Sequence, residues 1–281
     1  MRSILPLTFA LNHIAAPRRD MAALFALSRE LGIDEVEIRN DLAGVPLQDG
    51  TPAAIVGEAA RSAGIAILSI NALQRFNEWD AARADEAEEL AAYAAGCGAR
   101  ALVMCPVNSV TDTRSAHRHV ADLRESLAAL QPILAAHRLI GLIEPLGFEE
   151  SSLRLKRTAL DAIDAVGVAG TFSVLHDTFH HFLAGETEIF PTRTGLAHIS
   201  GVEDRTLEHN RIRDAHRVLV GPADRMDNVG QIAALRQGGY AGPFSFEPFA
   251  SEIHAMSDIA AALRASMAAI EHTVTASAPA A

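Results

Sequence analysis

Short apolar runs alternate with longer alanine- and leucine-rich amphipathic stretches along the whole 281-residue chain, and eight such units can be counted. That rhythm argues for repeated βα units and a parallel sheet rather than separate strand and helix regions. Strands are expected near Ile4–Ala10, Glu35–Arg39, Ala66–Ile70, Ala101–Cys105, Ile140–Glu144, Phe172–His176, Leu196–Ile199 and Phe244–Glu247. The intervening helices should begin near Asp20, Pro52, Trp79, Arg114, Ser152, Phe179, Asp227 and Ser257. Asp20 and Ser257 read as N-caps and Pro52 suits a first turn, while Gly32, Gly64, Gly98 and Gly239 stand where left-handed caps are wanted.

Eight regular units close most naturally as a (β/α)₈ barrel of the TIM type, whose usual size is roughly 250 residues in one domain. A doubly wound open sheet is the competing architecture, but no G-x-G-x-x-G follows the first strand. No linker divides the chain, so residues 1–274 are expected to form one barrel, with 275–281 as a disordered tail. The polar segment from Gly201 to Asp227, between the seventh and eighth units, reads as a long loop over the site.

With 49% apolar residues the chain can bury a large core. Its formal charge of −11 provides no broad positive field for a phosphate backbone or an anionic membrane, so neither partner is expected. Cys97 and Cys105 lack metal or redox spacing, and a reducing cytoplasm is the expected compartment. Arg2 with the apolar run after it is read as a first strand rather than a signal peptide, because Pro6 interrupts it. No run approaches the roughly 18 to 20 residues needed to span a bilayer.

Four metal-seeking residues fall at or just beyond the carboxyl ends of four consecutive expected strands: Glu144 in LIEP, Asp177 in LHDTFHH, His198 in LAHIS and Glu247 in SFEPF. Barrel active sites occupy that rim, and strands about 4.8 Å apart let inward side chains converge. Three carboxylates gathered in a partly closed mouth repel each other, which a bound cation relieves. The oxygen-rich set with one imidazole suits Mn²⁺, Mg²⁺ or Co²⁺, with Zn²⁺ as the alternative. Taken singly, the glutamates are also readable as partners of arginines or helix caps, Asp177 as the cap of the next helix, and His198 as a satisfied buried histidine.

IEPLGF, HDTFHH, AHIS and SFEPF in this order resemble the xylose isomerase-like TIM-barrel family of sugar isomerases and epimerases, over essentially the whole chain. Asn12-His13, IRNDL (Ile38–Leu42) and INALQRFNEW (Ile70–Trp79) are most similar to 2-keto-myo-inositol isomerases. The resemblance implies one divalent metal held by Glu144, Asp177, His198 and Glu247, with Glu144 and Glu247 also moving protons. His180, the second position of D-x-x-H, would contact substrate. So would an arginine ahead of a glycine turn, for which Arg217 in HRVLVG is the match; Gly221 is followed by Pro222-Ala223 instead of the usual turn, which leaves Arg205 as the substitute.

Such a centre would polarise a ketone beside a hydroxyl and acidify the neighbouring C–H, and paired glutamates could then shift hydrogen between adjacent carbons. Asn40, Asn71, Gln74 and Arg75, just beyond the second and third strands, suit several hydroxyls, with loop-turn hydrogen bonding as their competing role. Phe76, Trp79, Phe148 and Phe249 are readable as an apolar wall or as packing. His176, His181 and His216 are left without a role, and the basic run Asn210–Arg217 as a weaker phosphate site. The sequence therefore reads as an isomerase of a keto-polyol such as an inosose. A dehydratase or epimerase on the same site is the near alternative, an apurinic endonuclease-like phosphodiesterase or a non-catalytic sugar binder a distant one. A homo-oligomer is compatible with the fold, although no interface is legible.

Overall fold

The computed structural model describes residues 7–42 and 44–276. Among these, eight parallel strands form a closed barrel in which each pairs with the next and the eighth returns to the first. They are β1 (Phe9–Asn12), β2 (Glu35–Arg39), β3 (Ala66–Gln74), β4 (Ala101–Cys105), β5 (Ile140–Ile143), β6 (Phe172–Asp177), β7 (Thr194–Ile199) and β8 (Phe244–Phe246). Helices α1 (Met21–Glu30), α2 (Pro46–Asp49), α3 (Ala53–Ala63), α4 (Ala81–Cys97), α5 (Ala116–His137), α6 (Lys156–Val166), α7 (Thr178–Ala184), α8 (Asn228–Gln237), α9 (Ser251–His254) and α10 (Ile259–Ala276) make the crossovers and the closing segment. The chain is therefore the expected (β/α)₈ barrel. No helix of the described residues is long and apolar enough to cross a membrane.

The main core lies between strands and helices, where outward residues such as Val36, Ile38, Val174 and Ile199 meet Leu24, Leu27, Leu160 and Leu235. A smaller cluster, including Leu142, Leu175 and Leu196, fills the barrel interior. Because strand side chains alternate, each of these three leucines stands two positions before a residue that faces the mouth: Glu144, Asp177 and His198.

Boundaries moved for local reasons. Ile4–Pro6 of the expected first strand lie outside the described residues, and pairing continues to Asn12, where the side chain caps the next turn at Ile14 N (3.1 Å). Strand β3 runs four residues past the expected Ile70, with a register shift between Ile70 and Leu73, so Asn71 and Gln74 belong to a strand rather than a loop. Helices α4 and α5 start slightly later than expected because Asp80 and Ser115 offer the capping oxygens. Asp258 rather than Ser257 accepts from Ala261 N at the start of α10 (2.9 Å). Ser152 begins no helix; its hydroxyl binds Val107 O and the Asn77 amide, and α6 starts at Lys156. Pro52 stands just before α3 in extended conformation. Of the expected tail, 277–281 lie outside the described residues.

Candidate active site

Strands β5 to β8 deliver Glu144, Asp177, His198 and Glu247 to one point at the carboxyl end of the barrel. One ligand atom from each lies within 4.8 Å of the others, and all four residues are buried. Backbone pairing continues through the two glutamates: Glu144 N donates to Met104 O and Glu247 N to Ile199 O, at 3.0 and 2.9 Å. Both side chains are thereby held on the strand lattice although formal pairing has ended. Asp177 caps α7, one of the two readings weighed for it, and still faces the cluster: Oδ1 accepts from Phe179 N (2.7 Å) and His180 N (3.3 Å), leaving Oδ2 toward the other three residues.

The His198 imidazole is central. Its Nδ1 is 3.1 Å from Glu144 and from Glu247 and 4.0 Å from Asp177. Burial acts to lower the affinity of His198 for a proton, but Glu247, Glu37 and Glu144 outweigh it and hold the pKa well above the ordinary value. For Glu247 burial acts upward, while His198, Arg217 and Arg39 together hold it well below the usual carboxylate range. Three buried carboxylates and an imidazole at this spacing form a donor set that fits a divalent cation, since hard oxygens and one borderline nitrogen suit Mg²⁺, Mn²⁺, Co²⁺ and Zn²⁺ alike.

Above the cluster is a cavity of about 430 Å³ lined by Arg39, Asn71, Gln74, Arg75, Phe148, His180, Arg217 and Phe249, among others. His180 Nδ1 accepts from Gly147 N (3.2 Å), so the ring keeps a hydrogen on Nε2, and Phe148 and Phe179 meet it edge to face. Gly147 is required for this approach, because a Cβ there would meet His180 O at 2.3 Å. Among the described residues Asn71 Nδ2 is buried with no hydrogen-bond partner, a donor ready for a ligand acceptor.

The segment Gly201–Asp227 does lie over the site. It is tied back by paired backbone bonds between Gly201 and Val218, and Arg217 O accepts from Phe249 N and Ala250 N. This turns Arg217 inward between the Phe179 and Phe249 rings (4.7 and 4.8 Å), where its guanidinium donates to Asp177 (2.6 Å), Glu247 (2.8 Å) and Ser200 (2.9 Å). Arg205 is exposed in the same loop. The basic run does not gather into an anion site. Arg211 faces Glu208, Arg213 donates to backbone carbonyls, and His216 accepts from Arg213 N.

Several expected contributors sit elsewhere. Asn40 bonds the backbone of Ala72 through both amide atoms (2.8 and 3.1 Å), a buttress between β2 and β3 and not a cavity residue. Arg75 reaches the cavity but its guanidinium is paired with Glu78. Phe76 is wholly in the core and Trp79 packs against it, so the apolar wall comprises Phe148 and Phe249. His176 points away from the cluster to Gln231, and His181 accepts from the buried Lys156.

Two residues that the sequence reading passed over stand on β2. Arg39 pairs bidentately with Asp41 (2.7 and 2.6 Å) and donates to Glu247 (3.0 Å), while Glu37 reaches His198 Nε2 (3.0 Å). The available signal was charge alternating with Val36 and Ile38 in a strand that must be buried on both faces.

The model of the xylose isomerase-like TIM barrel matches residues 25–272. The chain belongs to that family. A xylose isomerase domain-containing protein from Salmonella typhimurium LT2 is 33% identical, with a TM-score of 0.83 over 99% of this chain and 98% of its own. The IOLI protein with a bound zinc atom is 18% identical, with a TM-score of 0.85 over 95% and 99% of the two chains. The 3-keto-D-glucoside 4-epimerase YcjR from E. coli is 17% identical, with a TM-score of 0.70 over 95% and 99%. No curated protein matches the chain in sequence.

Proposed function

We propose that this barrel is a divalent-metal-dependent isomerase that shifts a ketone along a small keto-polyol by proton transfer, with 2-keto-myo-inositol as the leading substrate. The observation that carries the reading is the buried cluster of Glu144, Asp177, His198 and Glu247 on the floor of a polar-walled cavity. The similar fold of the 3-keto-D-glucoside 4-epimerase supports the substrate class, and that of the zinc-bound IOLI protein supports a metal at the cluster.

Glu144, Asp177, His198 and Glu247 would hold a divalent cation there, which would supply Lewis acidity toward a carbonyl and its neighbouring hydroxyl and so acidify the adjacent C–H. Glu144 and Glu247 then take and return protons at neighbouring carbons, a role worth about 10²–10⁴ in rate for positioned groups. The two are held differently. Glu247 accepts from Arg39, Arg217 and Asn12, whereas Glu144 is touched by the Cys105 thiol (3.3 Å) and His198, which leaves Glu144 freer to reach substrate. Asn71 Nδ2 and His180 Nε2 donate to substrate oxygens, Gln74 adds a further polar contact, and Phe148 and Phe249 orient a ring and limit water. Arg217 holds Asp177 and Glu247 in register.

The test is proton NMR of the metal-reconstituted protein with 2-keto-myo-inositol in D₂O, beside a Glu247→Gln variant. New ketone signals with deuterium at the exchanged carbon, lost in the variant, are expected. An unchanged spectrum across a broad polyol panel refutes isomerisation. An unsaturated product absorbing in the ultraviolet would assign a dehydratase, and inversion at one carbon of a ketose an epimerase, to the same residues.

A further inference from the structure

Strand β2 supplies none of the four clustered residues, yet its Glu37 carboxylate lies directly beneath His198, fully buried. Oε1 and Oε2 stand 3.0 and 3.2 Å from His198 Nε2. The same carboxylate accepts from Ser69 Oγ on β3 (2.7 Å), Ser245 Oγ on β8 (2.5 Å) and Asn12 Nδ2 on β1 (3.3 Å). The two hydroxyls and the amide all donate to it, so the carboxylate serves as their common acceptor.

A neutral imidazole carries one N–H, and the nitrogen that ligates must be the bare one. Nδ1 faces Glu144, Asp177 and Glu247, so the hydrogen has to be on Nε2, where it needs a permanent acceptor. Three donors from three strands fix Glu37 in place for that purpose. We propose that Glu37 is a positioning residue, which selects the Nε2–H tautomer of His198 and aims Nδ1 at the metal. The inference rests on the reading of the cluster as a metal site. A group with this role typically changes metal affinity 10–100-fold.

Glu37→Gln keeps the shape but replaces one acceptor oxygen by an N–H donor, which can present to Nε2 and favour the wrong tautomer. Zinc affinity, measured by competition with a chromophoric chelator, should fall at least about tenfold, and the visible spectrum of the Co²⁺-substituted protein should change, with the circular dichroism of the fold retained. ¹⁵N NMR of the zinc-loaded wild-type protein should show His198 with Nε2 protonated and Nδ1 metal-shifted. A protonated Nδ1 there overturns the proposal whether or not the variant folds, as does wild-type zinc affinity in Glu37→Gln. His198→Ala and Glu144→Gln separate the two levels. If they too bind zinc like wild type, the metal site itself is refuted. If they lose zinc while Glu37→Gln keeps it, the role of Glu37 alone is refuted.

Discussion

The two halves of the barrel interior support the cluster by different physics. Under β5, β6 and β7, Leu142, Leu175 and Leu196 form an apolar plug directly below Glu144, Asp177 and His198. Across the barrel, β8, β1, β2 and β3 contribute Ser245, Asn12, Glu37 and Ser69, joined by hydrogen bonds, with Ser245 in register beside His198. The apolar half fixes side chains by packing, which is indifferent to direction. The polar half fixes them by donor and acceptor geometry, which specifies which nitrogen carries a hydrogen and which oxygen remains free. His198 stands where the halves meet, on Leu196 along its own strand and against Glu37 across the barrel.

Replacing Glu37 by leucine breaks this comparison most severely. The Ser69 and Ser245 hydroxyls, the Asn12 amide and the His198 ring would lose their common acceptor, so a loss of about 4 kcal/mol is expected, as for a buried network missing its charged member. Urea unfolding checks it, and a loss below about 1 kcal/mol would mean that the polar half contributes little to stability. Leu175→Ala in the apolar half should cost about 3 kcal/mol through lost packing and a cavity, with zinc affinity close to wild type. If zinc affinity instead falls as far as in the Glu37 variants, packing and hydrogen bonding do not divide the labour as described.

The smallest effect is expected outside the barrel wall, where Lys156 Nζ contacts Glu186 (2.6 Å) and His181 (2.8 Å) behind β6. Burial acts to raise Glu186, but His181 and Lys156 outweigh it and bring its pKa to about 2 from an ordinary 4.5. An acid depressed on folding adds stability above its unfolded pKa, and that contribution is lost as pH falls through the folded value. Burial lowers the Lys156 pKa and offsets part of the gain. Glu186→Gln should therefore cost on the order of 1 kcal/mol at neutral pH, with the deficit shrinking between about pH 4.5 and 2. Thermal unfolding followed across that range checks it; a deficit unchanged with pH would show that Glu186 acts by shape and not by charge.

Against this background the reach of sequence reading is uneven. The eight strands were legible because a strand buried on both faces is a short apolar run and the helices between have their own period. The four clustered residues were legible as a set because each ends such a run. For Asn40 the choice between a substrate hydroxyl and local hydrogen bonding stayed open, since the Ala72 backbone that satisfies it lies 32 positions away. For Phe76, wall and packing stayed equally readable, because ring size does not reveal which side of a turn is core; the structure shows packing.

By itself, then, the sequence determined the barrel and the rim on which chemistry would stand, since both follow from local periodicity and from strand ends. Only the tertiary structure decided what the inward charges touch. Glu37 and Glu35 have the same composition two positions apart, yet Glu35 pairs with Arg100 at the partly exposed start of β2, whereas Glu37 lies beneath His198, 161 positions along the chain. That difference is set by barrel closure, which brings β2 opposite β7 and is encoded in no local segment.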